Sequence, residues 1–365
     1  MMPVTMAVLG AGYWGSKLAK EYAAIESSTG VARLSSIVDP SWEALEKAKK
    51  EIDSLRHGGD VRYLQSYGEV LNDPEIEALH IAIPNQFHYE VGRQALEHGK
   101  HVLIEKPVAL SSREAFKLAR LSEEKGLVLQ VGHIFRFNNA VRTVRELIKG
   151  GRLGRVFYAD LTWATYMKPL PRERDIVFDL APHPVDVLNL LLEEWPTRVD
   201  ALGDSYVYGK ENSEEVAMVN LEFPDRVVAR LYLSWIDHGA KERSIKLIGE
   251  KGTLTCDALD QKIRLYYDHT SVEVPVLRFD QRNKIVGDYS APSPQTIAEP
   301  AANNTIRDME NHFISQIGGR GPQISSALVG ARTVQVLEQI TSAMRQRSQA
   351  YRHPSLEIAS QSYLR

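Results

Sequence analysis

A chain of 365 residues with 43% hydrophobic and 25% charged side chains has an ordinary globular composition, and its length exceeds what one core usually organises, so two domains are expected. A formal charge of −3 gives no electrostatic case for nucleic acid or an acidic membrane surface, and no apolar run approaches the ~20 residues of a membrane span. The single cysteine, Cys256, excludes an internal disulfide framework; together with an N-terminus that enters a strand almost at once and leaves no room for a signal peptide, it points to a reducing cytoplasm.

Strand and helix patterns alternate over the first ~130 residues. Strands are expected at Val4–Leu9, Leu34–Val38, Val61–Leu64, Ala78–Ile83, Val102–Ile104 and Val128–Val131. Helices are expected at Ser16–Ile25, Trp42–Ile52, Tyr89–Glu97 and Arg113–Glu124, the last capped by Ser112. This is the signature of a doubly wound parallel sheet. The last strand runs into Gly132-His133, where the domain boundary is placed. Beyond it a helix at Ala140–Lys149, a strand at Arg155–Trp163 and an apolar helix ending near Leu192 lead into successive strands. These are Val199–Val207, Val216–Phe223, Val227–Trp235, Ser244–Ile248 and Lys262–Tyr267, an α+β arrangement around a mostly antiparallel open sheet. The proline-bearing stretch Val274–Ala302 reads as a surface loop, and helices at Asn304–Ile317 and Ser326–Met344 close the pattern.

The first strand ends in Gly10-Ala11-Gly12-Tyr13-Trp14-Gly15, a G-x-G-x-x-G turn between a strand and a helix. Such glycines let the backbone turn tightly and approach a pyrophosphate, which the following helix N-terminus receives on free N–H groups. Asp39, at the tip of the second strand, is placed to accept the hydroxyls of an adenosine ribose. Its charge repels a 2′-phosphate, and Pro40 and Ser41 supply no arginine, so NAD is favoured over NADP; the same residue could also cap the next helix.

Three further segments fall where the carboxyl ends of strands would open a ligand crevice. In Pro84-Asn85-Gln86-Phe87-His88 the proline ends a strand, and Asn85 and His88 would face the nicotinamide half of a dinucleotide; otherwise Asn85 caps a helix and His88 is a surface residue. Glu105-Lys106-Pro107 offers a lysine able to orient a substrate hydroxyl and stabilise its developing negative charge, or a solvated loop cation. In Asp179-Leu180-Ala181-Pro182-His183-Pro184-Val185-Asp186, helical spacing puts His183 on one face with both aspartates. A carboxylate behind the imidazole would fix its tautomer and raise its basicity, as a general base requires. Pro182 and Pro184 cannot both lie deep in one helix. If the helix starts at His183, Asp186 replaces Asp179 as the partner. Lys168, Arg172 and Arg174 just upstream would place cations at the substrate mouth, suited to a phosphate or carboxylate, or form a solvated charged loop.

Taken in order, the glycine turn, the acidic strand tip, A-x-P-N-x-x-H, E-K-P, D-x-x-x-H-x-x-D and the late Met309-Glu310-Asn311-His312-Phe313 resemble the Gfo/Idh/MocA oxidoreductases, the family of glucose–fructose oxidoreductase and inositol dehydrogenase. The resemblance covers residues 4 to about 345. It implies a Rossmann domain over 1–132 that binds NAD through Gly10, Gly12, Tyr13, Trp14, Gly15, Asp39, Pro84, Asn85, His88, Glu105 and Lys106. It also implies a substrate-binding and oligomerisation domain over 133–365, with a homodimer or homotetramer as the assembly. Lys106 matches the family's catalytic lysine, His183 its general base and Asp179 the base's partner, with Arg172, Arg174 and Asp186 toward the substrate and no metal. The glycine run often found before the Asp179 position is absent here. The implied activity is oxidation or reduction of a hydroxyl on a sugar, polyol or sugar nucleotide, with a UDP-N-acetyl-hexosamine 3-dehydrogenase favoured by the cationic loop. An NAD-dependent glycoside hydrolase using transient C3 oxidation, or a non-catalytic NAD-binding sensor, are the alternatives.

Overall fold

The computed structural model describes residues 2–55, 61–168, 175–207, 214–268, 270–286 and 303–351. Its first sheet is built from β1 (Val4–Leu9), β2 (Ala32–Val38), β3 (Arg62–Leu64), β4 (Ala78–Ile81), β5 (His101–Ile104) and β6 (Leu129–Val131), in the order β3-β2-β1-β4-β5-β6. All its pairings are parallel. The connecting helices are α1 (Tyr13–Thr29), α2 (Trp42–Asp53), α3 (Tyr67–Leu71), α4 (His88–Glu97) and α5 (Ser112–Glu124). β4 is buried at every position, as a strand covered on both faces must be. The order reverses between β1 and β4, and a crevice opens there at the carboxyl ends of the strands.

After α6 (Asn139–Lys149) come β7 (Val156–Ala164), α7 (Ile176–Leu180), α8 (Pro182–Leu192) and β8 (Arg198–Asp204). β9 (Val216–Glu222), β10 (Val228–Ser234), β11 (Glu242–Gly249), β12 (Thr253–Asp257), β13 (Lys262–Tyr267) and β14 (Thr270–Val274) follow. The eight strands form one sheet in the order β14-β13-β12-β11-β7-β10-β9-β8, antiparallel except where β10 runs parallel to β7. β9 alternates buried and exposed residues, because one sheet face packs on helices and the other is open. On the open face Leu202, Met218 and Tyr232 are neighbours across three strands, with Leu202 and Met218 exposed.

The last two helices, α9 (Thr305–Ile317) and α10 (Ala327–Tyr351), return to the first sheet. Met309 and Phe313 of α9 pack with Leu18 and Tyr22 of α1. In α10, Ala327, Ala331 and Val334 join the core under β5 and β6, while Leu337, Ile340 and Met344 join the core of the second sheet. One helix thus belongs to both cores.

Several expectations change in detail. Ser111, not Ser112, caps α5 by accepting from the Glu114 N–H, and Ser112 donates instead to Glu338 of α10. Ser41, not Asp39, caps α2. β12 and β14 are two further short strands that the sequence pattern did not assign. Residues 287–302 of the expected surface loop lie outside the described residues.

Candidate active site

The glycine turn is set by close approach. Gly10 has φ +103°, and a Cβ there would collide with the Ala82 carbonyl oxygen; one on Gly15 would collide with the Gly10 carbonyl oxygen. A Cβ on Gly12, by contrast, would meet nothing within 4 Å. Gly12 caps α1 without a side-chain hydrogen bond, so the first-turn amides face that open space. Asp39 borders it, accepting the Ala11 N–H at 2.8 Å and the Ser41 N–H at 2.8 Å. The carboxylate therefore braces the turn as well as standing at the strand tip. A cavity of about 430 Å³ opens beside Gly12, Tyr13, Lys17, Ser41 and Lys47. A bare helix N-terminus, a glycine that leaves room for a ligand and an acceptor for ribose hydroxyls together fit the adenosine and pyrophosphate of NAD.

A second cavity of about 300 Å³ lies at the ends of β4 and β5, lined among others by Trp14, Asn85, Glu105, Lys106, Asp179 and His183. The two sheets meet here. Lys106 Nζ donates to the Asp179 carbonyl at 2.6 Å and lies 3.5 Å from Asp179 Oδ1, joining the E-K-P loop to the second domain. The indole of Trp235 donates to Asp179 Oδ2 at 3.3 Å. Asp175 caps α7 through the Phe178 N–H, and the helix breaks at Ala181 so that α8 restarts at Pro182. Both prolines then occupy a first turn, where the missing donors are not needed. His183 sits in that turn, edge-on to Phe135 at 5.2 Å, with Nδ1 buried and without a hydrogen-bond partner among the described residues.

This corrects one of the two carboxylates expected beside His183. Asp186 is 1% exposed and turned away from the cavity, ion-paired with Arg136 Nε at 2.6 Å and His133 Nδ1 at 3.1 Å. It is neither partner to His183 nor placed to touch substrate. His183 is not made more basic. Burial, then Lys106, Arg243, His133 and Lys241, push its pKa well below the usual histidine value, so the imidazole is neutral at pH 7. His88 is corrected too. It is fully buried, with its ring nitrogens 2.7 Å from the Pro107 carbonyl and 2.8 Å from that of Ile83, so it ties α4 to two loops instead of facing the cofactor. Asn85 does line the cavity, in a short 3-10 turn that Pro84 begins. Tyr13 is 80% exposed at the adenosine cavity, and Trp14 turns into the other. Arg172 and Arg174 lie outside the described residues; Lys168 is exposed.

The cations that the sequence did not single out are Lys241 and Arg243, at the start of β11. The Arg243 guanidinium is buried against the Ala164 carbonyl, and burial lowers its pKa to about 10. Residues of this kind, distant in sequence and without a motif, are brought to His183 only by strand pairing.

A parallel sheet with a dinucleotide crevice, completed by a lysine, a carboxylate and a histidine from two domains, defines a nicotinamide-dependent oxidoreductase. The chain belongs to the Gfo/Idh/MocA family: residues 4–133 match the model described as an oxidoreductase family with an NAD-binding Rossmann fold, and residues 141–255 match the GFO/IDH/MocA C-terminal domain. Its cofactor is NAD. It is 30% identical over 198 residues to 1,5-anhydro-D-fructose reductase of Ensifer adhaerens, covering 52% of this chain and 59% of that protein. It is 28% identical over 267 residues to UDP-N-acetylglucosamine 3-dehydrogenase of Acidithiobacillus ferrooxidans, covering 73% of this chain and 78% of that protein. A crystal form of the latter superposes with TM-score 0.77 at 22% identity, covering 95% and 99% of the two chains. Levoglucosan dehydrogenase, solved with NADH and levoglucosan, superposes with TM-score 0.77 at 18% identity, covering 94% and 98%.

Proposed function

We propose that the chain is an NAD-dependent dehydrogenase or reductase of a secondary hydroxyl on a sugar, polyol or sugar nucleotide, with a UDP-N-acetyl-hexosamine oxidised at C3 as the favoured substrate. The observation that carries the reading is the convergence of Lys106, Asp179 and His183 on one cavity beside the glycine turn. The favoured substrate draws support from the UDP-N-acetylglucosamine 3-dehydrogenase, which this chain matches over most of both lengths, and from the cations grouped around His183. NAD supplies the hydride acceptor. Lys106 holds the substrate oxygen and stabilises its negative charge, oriented by the Asp179 carbonyl and carboxylate. His183 exchanges the hydroxyl proton at the buried edge of the same cavity, and the surrounding cations lower the cost of the alkoxide. The open face of the second sheet, with its row of Leu202, Met218 and Tyr232, joins copies into a homodimer or homotetramer.

The test is a panel of sugars, polyols and nucleotide sugars with NAD, followed at the absorbance of NADH. Lys106→Ala and His183→Ala are each expected to lower kcat by about 10²–10⁴ on any substrate found. Turnover that survives the double substitution overturns the mechanism.

A further inference from the structure

Behind the floor of the catalytic cavity, three ionisable side chains are buried together in the first domain. Glu105, 7% exposed, borders the cavity; His80, on the central strand β4, and Glu310, on α9, are both 0% exposed. His80 Nε2 is 3.5 Å from Glu105 Oε1, and His80 Nδ1 is 3.7 Å from Glu310 Oε1. The Tyr22 ring stands edge-on to His80 at 5.7 Å. Glu105 packs so closely on the backbone that a Cβ on Gly132 would come within 2.8 Å of its Oε1.

Such a group is costly to bury and adds nothing that apolar residues in a parallel sheet would not supply better. Among the described residues the facing atoms make loose ion-pair contacts, at 3.5 Å and 3.7 Å, and no closer hydrogen bond. Through Glu105 the group reaches the cavity, next to Lys106.

We propose that Glu105 faces the nicotinamide and favours the oxidised, cationic ring over the neutral reduced one, with His80 and Glu310 as positioning residues that set its place and charge from behind the sheet. This rests on the reading of the cavity as the catalytic site. A carboxylate in a water-poor site attracts a cationic ring strongly and a neutral ring hardly at all. A site biased in this way makes bound NADH the stronger hydride donor.

The charge states agree. Burial opposes the charge on Glu105, but His80, Trp14 and Lys106 outweigh it and hold the carboxyl below its ordinary range. Burial also opposes a proton on His80, and the two flanking glutamates restore it. Burial raises Glu310 to about 8, against the pull of His80. The shifts run toward a carboxylate at Glu105, a protonated ring at His80 and a neutral acid at Glu310. The other titratable groups acting on these three are Glu21 and Tyr22 of α1, His88 of α4 and Lys106. As the pH rises through 8, Glu310 ionises and adds a second negative charge, so preference for the oxidised cofactor grows.

The experiment measures the ratio of dissociation constants for NADH and NAD+, by NADH fluorescence and calorimetry, at pH 7 and pH 9. For the unsubstituted protein the ratio is expected to rise severalfold over that interval. Glu105→Gln lowers the ratio roughly tenfold at pH 7. Glu310→Gln, which mimics the neutral acid, keeps the pH 7 ratio and abolishes the rise. A ratio unmoved by Glu105→Gln, or a rise that persists in Glu310→Gln, overturns the proposal. If Glu105→Gln does not fold by circular dichroism, the pH response of Glu310→Gln decides alone. Loss of turnover in Lys106→Ala with an unmoved ratio in Glu105→Gln marks failure of this proposal and not of the catalytic reading.

Discussion

At His183, burial and the neighbouring Lys106, Arg243 and Lys241 act in the same direction, so the ring stays neutral below the usual histidine range. The proton-accepting form is thus available throughout the neutral range. The acid limb that His183 imposes on kcat/KM for hydroxyl oxidation is expected below pH 6.5, and Lys241→Gln should move it upward by removing one of the cations. A pH–rate profile whose acid limb lies at or above 6.5 in the unsubstituted protein contradicts this. Local spacing brought into view a histidine and a lysine that share one cavity, because E-K-P and D-x-x-x-H are contiguous signals. It offered Asp186 as an alternative partner for the same reason: three residues from His183 on a helix, it could share a face with it, yet its carboxylate pairs with Arg136, 50 positions earlier in the chain. The environment of Glu105 was out of reach for a related reason, since His80 and Glu310 meet only through sheet order and the return of α9.

Among the elements, the glycine turn separates two roles that the motif runs together. Gly15 is required by the backbone, since a Cβ would strike the Gly10 carbonyl; Gly12 borders open space. Gly15→Ala is expected to cost about 1–3 kcal/mol of stability through the forced shift. Gly12→Ala should melt within about 1 kcal/mol of the unsubstituted protein yet bind NAD at least about tenfold more weakly. Thermal melts paired with NADH titrations test both, and a Gly12→Ala protein with unchanged NADH affinity removes the pyrophosphate from this turn. The alternating strands and helices of the first sheet were legible because each buried strand is a short apolar run bounded by turns. The break between α7 and α8 was legible only as a conflict, two prolines in one helical pattern, which the chain resolves by starting a new helix at Pro182. β12 and β14 are only five residues long, and β14, at the sheet edge, buries little, so their patterns are too short to stand out in the sequence.

For the whole molecule, the open sheet face gives the assembly prediction. Met218→Lys, in the centre of the Leu202–Met218–Tyr232 row, should shift the particle to a smaller mass in light scattering while the monomer stays folded. A mass unaffected by this substitution removes that face as the joint. The return of α9 and α10 has another consequence, in the order in which the molecule is made. The Gln130 side chain donates to the Met309 carbonyl across 179 positions of sequence. At roughly 5–20 residues per second, the ribosome delivers the second partner about 10–35 seconds after the first. During that interval the first sheet has left the exit tunnel with the apolar flank meant for Met309, Phe313, Ala331 and Val334 still bare. The nascent chain must be kept from self-association until its last helices emerge, and an early translational stop releases a first domain that cannot finish itself.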